Sequence, residues 1–343
     1  MAKKNTYLIY NKLINNKDLA PEEAYQLANM LMADSFTPVQ VAAILTALKI
    51  KGETVDEIRG FIKAMRERMI SLPGHENAVD TCGTGGDGSN TFNVSTTVAF
   101  VVAGAGVPVA KHGNRSASSI CGSSDCLEAL GVNTGVISTQ AIQVLKIAGM
   151  VFLFAPLYHP ALKSLGPIRK ELGFRTIFNY LGPFCNPAGV RRQLIGVPSR
   201  EIAEKMIEVA RELGYHHLAI VCNEEGLDEI GLSGTNHVYE LKNGVTSRNT
   251  VSAQKYGFTE AAIADLRGGN AQDNATIIKE ILNGVKGEKR DVVILNAGYA
   301  LYIAGVVKTV AEGIKKAAHS IDSGKAKEVL EKLIIETQKY ANP

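Results

Sequence analysis

The fold is decided by residues 80–131, which read DTCGTGGDGSNTFNVSTTVAFVVAGAGVPVAKHGNRSASSICGSSDCLEALG. Two polar segments rich in glycine and serine, residues 83–96 and 111–124, flank a short apolar piece, and each leads into a helical pattern. Such segments gather backbone N–H groups and helix N-termini, both of which favour an anion. The stretch therefore predicts an anion site built from two loops.

Upstream of this stretch, residues 1–72 show only helical patterns. Thr37 followed by Pro38 predicts a helix start, and Gly52 predicts the end of the same helix. The next helix begins at a capping box, Thr54 to Glu57. Its apolar residues share one face: Ile58, Phe61, Ile62 and Met65. This region is expected to form a small all-α domain whose helices could supply a homodimer contact.

Downstream of a linker at residues 72–74, short apolar runs alternate with helical patterns. Strands are expected at residues 78–79, 107–110, 150–154, 176–178, 218–222 and 292–295, and helices at 139–148, 200–213, 274–283 and from 298 to the C-terminus. This alternation indicates an α/β fold. We therefore predict a helical domain over residues 1–72 and an α/β domain over residues 73–343. The larger domain is expected to hold a central, largely parallel sheet flanked by helices.

Composition narrows the class of protein. Hydrophobic residues make up 45% and charged residues 21% of the 343, as in ordinary globular proteins. The formal net charge of +3 is too small to favour a nucleic-acid surface. The N-terminus lacks the apolar core of a signal peptide, and the longest apolar run, residues 98–110, is too short to span a bilayer. The five cysteines, without a CxxC pair, are expected as thiols in a reducing cytoplasm.

The first loop begins with GTGGDG at residues 83–88, which matches the GxGxxG pattern of dinucleotide-binding proteins. That fold needs an acidic residue about 20 positions further on, and no Asp or Glu occurs between residues 88 and 124. A P-loop is excluded because no GK[ST] follows the glycines. Glycines still let a phosphate approach the backbone closely. Asn93, Ser95 and Thr96 could cap the following helix or contact a ligand; a flexible glycine-rich turn is the alternative.

The second loop follows an apolar run directly and carries three side chains that can be cationic, Lys111, His112 and Arg115. Because these three side chains lie just beyond a strand end, they suit a polyanionic ligand. Serines follow before the helix that carries Leu127 and ends at Gly131. A solvated charged turn is the alternative. A zinc site from His112, Cys121 and Cys126 is not expected, because the spacing matches no common ligand pattern.

Two further features bear charge. Residues 218–222 are expected as a strand that leads into four carboxylates, those of Glu224, Glu225, Asp228 and Glu229. Magnesium prefers oxygen ligands, but the spacing alone favours a solvated acidic loop. Arg169 begins a basic stretch near a short helix; its guanidinium suits a planar carboxylate. On the residues alone a surface ion pair is the default, and Arg169 cannot be told from Lys170 or Arg175.

Taken together, the motifs resemble those of the anthranilate phosphoribosyltransferase family. The resemblance is carried by GTGGD, by Asn93-Val94-Ser95-Thr96, by KHGNR with its serine-rich continuation to LEALG, and by residues 159–183, HPALKSLGPIRKELGFRTIFNYLGP. It extends along almost the whole chain. It implies a cytoplasmic enzyme of tryptophan biosynthesis, usually a homodimer, with a fold like that of class II nucleoside phosphorylases. The implied reaction joins anthranilate to phosphoribosyl pyrophosphate (PRPP) with Mg²⁺, giving N-(5-phosphoribosyl)anthranilate and pyrophosphate.

The resemblance also implies roles for individual residues. The implied PRPP site comprises Gly83, Gly86, Asp87, Thr91, Asn93, Val94, Ser95, Thr96, Lys111, His112, Gly113, Asn114, Arg115, Ser116, Ala117, Ser118, Ser119 and Ser123. Anthranilate is expected at Gly83, Asn114 and Arg169, with His112 and His159 as wall residues. The metal is expected at Ser95, Asp228 and Glu229, whereas Glu224 and Glu225 remain solvated.

The implied reaction displaces pyrophosphate at ribose C1, so charge builds on the leaving group. Lys111, Asp228 and Glu229 are expected to act electrostatically there, the carboxylates through the metal. An aromatic amine is already neutral at pH 7, so no catalytic base is expected. One alternative is a pyrimidine nucleoside phosphorylase, against which the second loop and the acidic pair speak. Another is a non-catalytic phosphate- or nucleotide-binding module, which explains the glycines but not the joint presence of both loops, the arginine and the acidic pair.

Overall fold

The computed structural model describes residues 2–85, 87–116 and 120–341, with side chains from residue 8 onward. Four helices form the N-terminal region: α1 (Ala2–Ile14), α2 (Pro21–Met32), α3 (Pro38–Lys51) and α4 (Val55–Arg68). The Thr37 side chain accepts the Gln40 N–H at the start of α3, and Gly52 ends the helix with a φ of +81°. The Thr54 hydroxyl and the Glu57 carboxylate complete the capping box of α4. The all-helical prediction for this region is confirmed.

The rest of the chain is built on a sheet of seven strands, which follow in chain order: β1 (Val79–Gly83), β2 (Val109–Gly113), β3 (Met150–Phe154), β4 (Arg192–Gly196), β5 (His217–Asn223), β6 (Asn236–Lys242) and β7 (Val245–Val251). Their order across the sheet is β3-β2-β1-β4-β5-β6-β7. Neighbours among the first five strands are parallel, and β6 and β7 add antiparallel pairs at one edge. The predicted α/β class with a largely parallel sheet is confirmed.

Eleven helices of the described chain accompany the sheet: α5 (Val94–Gly104), α6 (Ser123–Ala129), α7 (Ser138–Ala148), α8 (Ala155–Tyr158), α9 (Leu165–Leu172), α10 (Phe178–Leu181), α11 (Arg200–Arg211), α12 (Ala271–Leu282), α13 (Glu288–Ile303), α14 (Val310–Asp322) and α15 (Lys325–Gln338). Helices α7, α11 and α12 lie where the patterns predicted them. The helix expected from residue 298 onward is three helices, because Thr309 caps α14 and Gly324, with a φ of +78°, precedes α15.

Two expected strands are wrong. Residues 292–295 lie inside α13, whose residues are buried on almost every side, so its short apolar run carries no helical periodicity. Residues 176–178 form a turn into α10, in which the Thr176 N–H donates to Asn179 Oδ1 at 2.9 Å. Strands β4, β6 and β7 were not expected; β7 exposes nearly all of its side chains and so has no apolar face to reveal it.

Two apolar clusters cover the two faces of the sheet. Along β5, Ala219 and Val221 belong to one cluster, which includes α5, α7, α13 and α15. Leu218 and Ile220 point the other way and join a second cluster with α1–α4, α9 and α11. The core of the N-terminal helices thus continues onto the sheet, and the domain boundary after residue 72 stays a prediction. No helix in the described part of the chain is long and apolar enough to cross a membrane.

The strand order reverses between β1 and β4, since the chain proceeds outward from β1 to β2 and β3 on one side and resumes with β4 on the other. In open α/β sheets the crevice at the carboxyl ends of such strands is the favoured place for a ligand. Here that crevice lies beyond Gly83 and Gly196, which pair in register.

Candidate active site

Two glycines at the strand ends make room for a carboxylate. A Cβ atom at Gly83 would lie 2.3 Å from Asp228 Oδ2, and one at Gly196 would lie 1.5 Å from the Asp228 carbonyl oxygen. Any other residue at position 196 would have to push the backbone of Asp228 away. The glycines therefore let the acidic segment after β5 lie directly over the ends of β1 and β4.

The first loop and the acidic segment are joined by hydrogen bonds. The Gly85 N–H donates to Asp228 Oδ2 at 3.0 Å, and the Asp228 N–H points to Asp87 Oδ2 at 3.5 Å. Asp87 also accepts the Ser89 hydroxyl at 2.5 Å. Gly85 and Gly88 have φ values of +64° and +72°, which glycine adopts without strain. Gly86 lies outside the described residues.

Burial changes the acidity of this segment. Burial, together with the nearby Asp87 charge, raises the pKa of Asp228 to about 7. Burial and the Asp228 charge raise the pKa of Glu229 well above its usual value, while Lys111 and the Ser95 N–H oppose the rise. Glu224 and Glu225, by contrast, are exposed. The structure therefore separates the two carboxylates that were singled out from the two expected to remain solvated.

The arrangement suits a hard cation. Across residues 2–85, 87–116 and 120–341, no group of three or more His, Cys, Asp and Glu side chains is placed to hold a metal ion. Magnesium, however, takes few protein ligands and fills its remaining positions with water and phosphate oxygens. Two adjacent carboxylates with raised pKa values, the half-buried Asp228 and the buried Glu229, lie beside the Ser95 hydroxyl and are compatible with such a site.

Lys111 lies beneath the crevice, with 2% of its surface exposed. Its Nζ donates to the Thr81 carbonyl at 2.5 Å and to Ser95 Oγ at 3.2 Å. The ammonium thus joins the ends of β1 and β2 to the start of α5. This is the one side chain of the predicted cationic triplet that places its charge beside the carboxylate pair.

The other two members of the triplet behave differently. Burial lowers the pKa of His112 to about 3, so this imidazole is neutral at pH 7. The Arg115 guanidinium pairs with Asp125 at 2.8 Å and with Glu128 at 2.7 Å. Helix α6 therefore supplies the partners of Arg115, and sequence reasoning did not anticipate them. Their predicted roles toward a phosphate group stay predictions.

The remaining second-loop residues surround a backbone turn. The Asn114 carbonyl accepts the Ser123 hydroxyl and the Ser124 N–H, each at 3.2 Å. Gly113 is needed here, because a Cβ atom would lie against Ser123 Oγ and 2.7 Å from Cε2 of the buried Phe152 ring. The Ser116 N–H donates to Asp125 Oδ2 at 3.2 Å. Ala117, Ser118 and Ser119 lie outside the described residues.

The start of α5 brings the loops together. Asn93 does not cap the helix; its Nδ2 donates to the Cys121 carbonyl at 3.3 Å, across to the second loop. Thr96 Oγ1 is buried without a hydrogen-bond partner in the described chain, and Val94 packs into the core. Thr91 pairs with Arg267 through an isolated bridge. Asn93, Ser95 and Lys111 thus connect both loops around the crevice.

Arg169 lies on α9, beyond the strand ends. Its guanidinium stands over the Phe178 ring at 5.4 Å, burial lowers its pKa, and its Nε has no hydrogen-bond partner in the described chain. It makes no ion pair with a carboxylate of the described residues. Lys170, the neighbouring cation, is exposed. The structure thus distinguishes the two residues, which the sequence could not.

Two histidines form an apolar wall nearby. The His112 and His159 rings are 5.1 Å apart, and burial lowers the pKa of His159 to about 4. His112 Nδ1 lies 3.1 Å from the Gly182 carbonyl. The Nε2 atoms of both rings are buried and have no partner among the described atoms. Two neutral rings suit an aromatic ligand; the assignment of these residues to anthranilate stays a prediction.

Sequence reasoning missed two residues. Asp80, fully buried in β1, accepts hydrogen bonds from Asn186 Nδ2 at 2.9 Å, Gln193 Nε2 at 3.0 Å and the His112 N–H at 3.3 Å. The sequence feature that could have revealed Asp80 is its charge within a short, otherwise uncharged strand. Arg175 reaches the Gly85 and Thr84 carbonyls of the first loop. Nothing in the sequence distinguishes it from other basic residues.

Comparisons with known proteins agree with this geometry. Residues 75–327 match the family model described as the glycosyl transferase family a/b domain, and residues 8–69 match the helical bundle domain of the same family. The chain is 48% identical to an anthranilate phosphoribosyltransferase of Afipia carboxidovorans, over 95% of this chain and 97% of that protein. It is 46% identical to one from Bacillus cereus, over 96% of each.

Solved structures agree with these sequence comparisons. The anthranilate phosphoribosyltransferase of Thermus thermophilus superposes with a TM-score of 0.90 at 38% identity, covering 96% of this chain and 99% of that chain. The Saccharomyces cerevisiae enzyme in complex with PRPP and Mg superposes with a TM-score of 0.89 at 27% identity, covering 97% and 98%. Relatives at nearly half identity over almost the full length of both proteins determine the assignment: the chain belongs to the anthranilate phosphoribosyltransferase family.

Proposed function

We propose that this protein transfers the 5-phosphoribosyl group from PRPP to the amine of anthranilate, giving N-(5-phosphoribosyl)anthranilate and pyrophosphate. This is the second step of tryptophan synthesis from chorismate. The observation that carries the proposal is the meeting of both loops, Lys111 and the Asp228–Glu229 pair in one crevice at the strand-order reversal. The neutral His112 and His159 rings, and the Arg169 guanidinium, which makes no ion pair among the described residues, support the choice of an aromatic carboxylate as the second substrate.

PRPP occupies the two loops in this proposal. Backbone N–H groups of the first loop and the side chains of Asn93 and Ser95 would bind phosphate and ribose oxygens. Lys111 places its ammonium near the diphosphate, where negative charge grows as the ribose C1–O bond breaks. Because the ammonium is already held by Thr81 and Ser95, little reorganisation is needed when that charge appears.

Magnesium is the cofactor of this proposal, with Asp228, Glu229 and Ser95 as the residues that would hold it. When bound, the ion neutralises negative charge on the diphosphate of PRPP and so favours its departure. The chain itself contributes two neighbouring carboxylates, Asp228 half-buried and Glu229 buried, whose negative charges a nearby cation would stabilise. The solved yeast relative is described with both PRPP and Mg.

Anthranilate would lie between the first loop and α9. A bidentate pair with the Arg169 guanidinium fixes its carboxylate, and the His112 and His159 rings border its aromatic face. The ring amine is then directed at ribose C1, and positioning replaces base catalysis because this amine carries a free lone pair at pH 7. The yeast relative is described in complex with 4-fluoroanthranilate, an aromatic carboxylate of this kind.

The test is the loss of anthranilate fluorescence when purified protein is mixed with PRPP, first with Mg²⁺ and then with EDTA. We expect a decay that EDTA abolishes. A double variant, Asp228→Asn with Glu229→Gln, is expected to lose at least about a hundredfold in turnover. Glu224→Gln with Glu225→Gln removes two exposed charges from the same segment and serves as the matched control. A folded protein that consumes no anthranilate, yet cleaves thymidine or uridine with phosphate, would instead be a nucleoside phosphorylase.

We further infer that the protein is a cytoplasmic homodimer. Leu8, Ile14, Val39 and Ile50 are large apolar side chains on α1 and α3 that are 51% to 79% exposed. Helices α1 and α3 are in contact, and exposed apolar side chains on neighbouring helices are typical of an interface between subunits. Light scattering after gel filtration tests it: we expect a dimer for the parent protein and a monomer for Val39→Asp combined with Ile50→Asp. An unchanged dimer in that variant would exclude this surface.

A further inference from the structure

Two cysteines meet at the N-terminus of α6. Gly122 is the N-cap residue, and its N–H donates to Asp125 Oδ2 at 3.0 Å. Cys121 therefore precedes the cap and Cys126 is the fourth residue of the helix. These are the two positions whose side chains pack against each other across a helix N-terminus. Consistent with this, both cysteines are buried in the same apolar cluster.

Cys121 is also tied to the first loop. Its carbonyl accepts Asn93 Nδ2 at 3.3 Å, and its thiol lies 3.4 Å from two acceptors, Asn93 Oδ1 and the Gly122 carbonyl. Asn93 immediately precedes α5, the helix that begins beside the crevice. A change in the position or the bonding of the Cys121 sulfur is therefore transmitted to a residue of the proposed PRPP site.

We propose that Cys121 and Cys126 form a reversible disulfide that weakens PRPP binding. The effect on PRPP rests on the function proposed above. Bond formation would remove the thiol proton that Cys121 donates to Asn93, and it would pull the segment before α6 toward the helix. Both changes act on the contact between the two loops.

The oxidant in this proposal is a hydroperoxide, ROOH. The Cys121 thiolate attacks the terminal oxygen, the O–O bond breaks, and the products are a sulfenic acid on Cys121 and the alcohol ROH. The Cys126 sulfur then attacks the Cys121 sulfur, the S–S bond forms, and the sulfenic oxygen leaves as water. Overall, two thiols lose two electrons and two protons, and the hydroperoxide becomes ROH and water.

The environment favours this order of attack. Cys121 is 9% exposed, whereas Cys126 is fully buried behind it. The neighbouring Cys126 thiol lowers the pKa of Cys121, whereas Cys121 and burial raise the pKa of Cys126. Burial raises the pKa of Cys185 to about 12 and that of Cys222 to about 11. These two thiols are poorer nucleophiles and are buried in the second apolar cluster.

The experiment treats the full-length protein with a small excess of hydrogen peroxide. Thiols are counted in denaturant before and after the treatment, and we expect the five of the reduced protein to fall to three. Trypsin releases residues 116–146 as one peptide, which contains Cys121 and Cys126 and none of the other three cysteines. This peptide is expected to become lighter by two hydrogen atoms and to recover them with dithiothreitol.

Kinetics then test the consequence. We expect the KM for PRPP to rise about tenfold on oxidation, the effect of one lost hydrogen bond, with kcat changed less than about twofold and full recovery in dithiothreitol. Cys121→Ser, which keeps a donor for Asn93, and Cys126→Val are expected to be unaffected by peroxide. Cys82→Ser, the matched control at a partly exposed thiol outside the pair, is expected to respond like the parent protein.

Oxidation at other cysteines, or a disulfide that leaves the KM for PRPP unchanged, would overturn the proposal. Failure of the proposed function is a separate result. It would appear as a reduced protein that consumes no anthranilate, and the thiol count and the peptide mass would still decide whether the disulfide forms.

Discussion

At the scale of single residues, Asp228 combines a stability cost with a proposed role. Its pKa is raised to about 7, so the folded, ligand-free protein binds a proton more tightly than the unfolded chain does. The free energy of unfolding therefore falls as the pH rises from about 4, the usual pKa of Asp, to about 7. Above pH 7 the ionised Asp228 makes its full unfavourable contribution. The same negative charge on Asp228 would bind a cation.

We predict that Asp228→Asn stabilises the ligand-free protein while removing most turnover. Urea unfolding at pH 8 is expected to show that the free energy of unfolding of the variant exceeds that of the parent by about 1–2 kcal/mol. This difference is expected to shrink at pH 5, because the parent carboxyl is already protonated there. The exposed Glu224→Gln is the control and should change neither quantity. A variant less stable than the parent at pH 8 would contradict this account of the site.

A second prediction concerns Arg169. Lysine keeps the charge but loses the planar fork, so Arg169→Lys is expected to raise the KM for anthranilate at least about tenfold while changing the KM for PRPP less than about twofold. Lys170→Ala, at the exposed neighbour on the same helix, is the matched control. Equal effects of Arg169→Lys on both KM values would mean that the arginine does not distinguish the substrates.

Residue roles are only partly readable from the sequence. Lys111, His112 and Arg115 look alike as a basic cluster, but the structure buries the first, neutralises the second and pairs the third with Asp125 and Glu128. The sequence shows which of these side chains can carry charge, but their partners lie on other elements: β1 and α5 for Lys111, and α6 for Arg115. Family resemblance, rather than spacing, singled out Arg169 and the Asp228–Glu229 pair.

At the scale of elements, the ends of β1 and β4 must be free of side chains. We predict that Gly196→Ala displaces the backbone of Asp228, because the added Cβ atom would lie 1.5 Å from its carbonyl oxygen. Loss of nearly all turnover and a lower unfolding temperature are expected. Gly166→Ala on α9, where nothing lies within 4 Å of the added atom, is the control and should keep both. Normal activity in Gly196→Ala would require the acidic segment to lie elsewhere.

Elements with a clear pattern were predicted, and those without one were not. The starts of α3 and α4 follow from their N-cap residues, and helices α7 and α11 follow from apolar spacing. Strand β7 has no buried face and gives no alternation. Residues 292–295 look like a buried strand because α13 is apolar on nearly all sides, and a run of four cannot reveal its period.

At the scale of the whole molecule, the second apolar cluster joins the N-terminal helices to the sheet. Phe61 of α4 is fully buried and its ring lies 5.7 Å from that of Phe178 on α10. We predict that Phe61→Ala costs about 3–4 kcal/mol and that calorimetry still shows a single transition at lower temperature. Ile335→Ala, at an exposed position of α15, is the control. A separate early transition for the helices would show that they fold independently.

The overall architecture was predictable because alternating strands and helices specify a parallel sheet, whatever their exact bounds. The packing of the helical region was not. Its helices look like a separate unit in sequence, but their apolar faces meet α9, α11 and β5, contacts between residues that are far apart in the chain.

That packing has a consequence for synthesis on the ribosome. Helices α1–α4 leave the exit tunnel first, yet the cluster that buries them also contains Leu165, Ile207 and Leu241. The parts of their apolar faces that pack on the larger region therefore stay uncovered until more than two-thirds of the polypeptide has been translated. During that interval the nascent chain presents the kind of surface that chaperones hold, and a slow or paused ribosome would prolong its exposure.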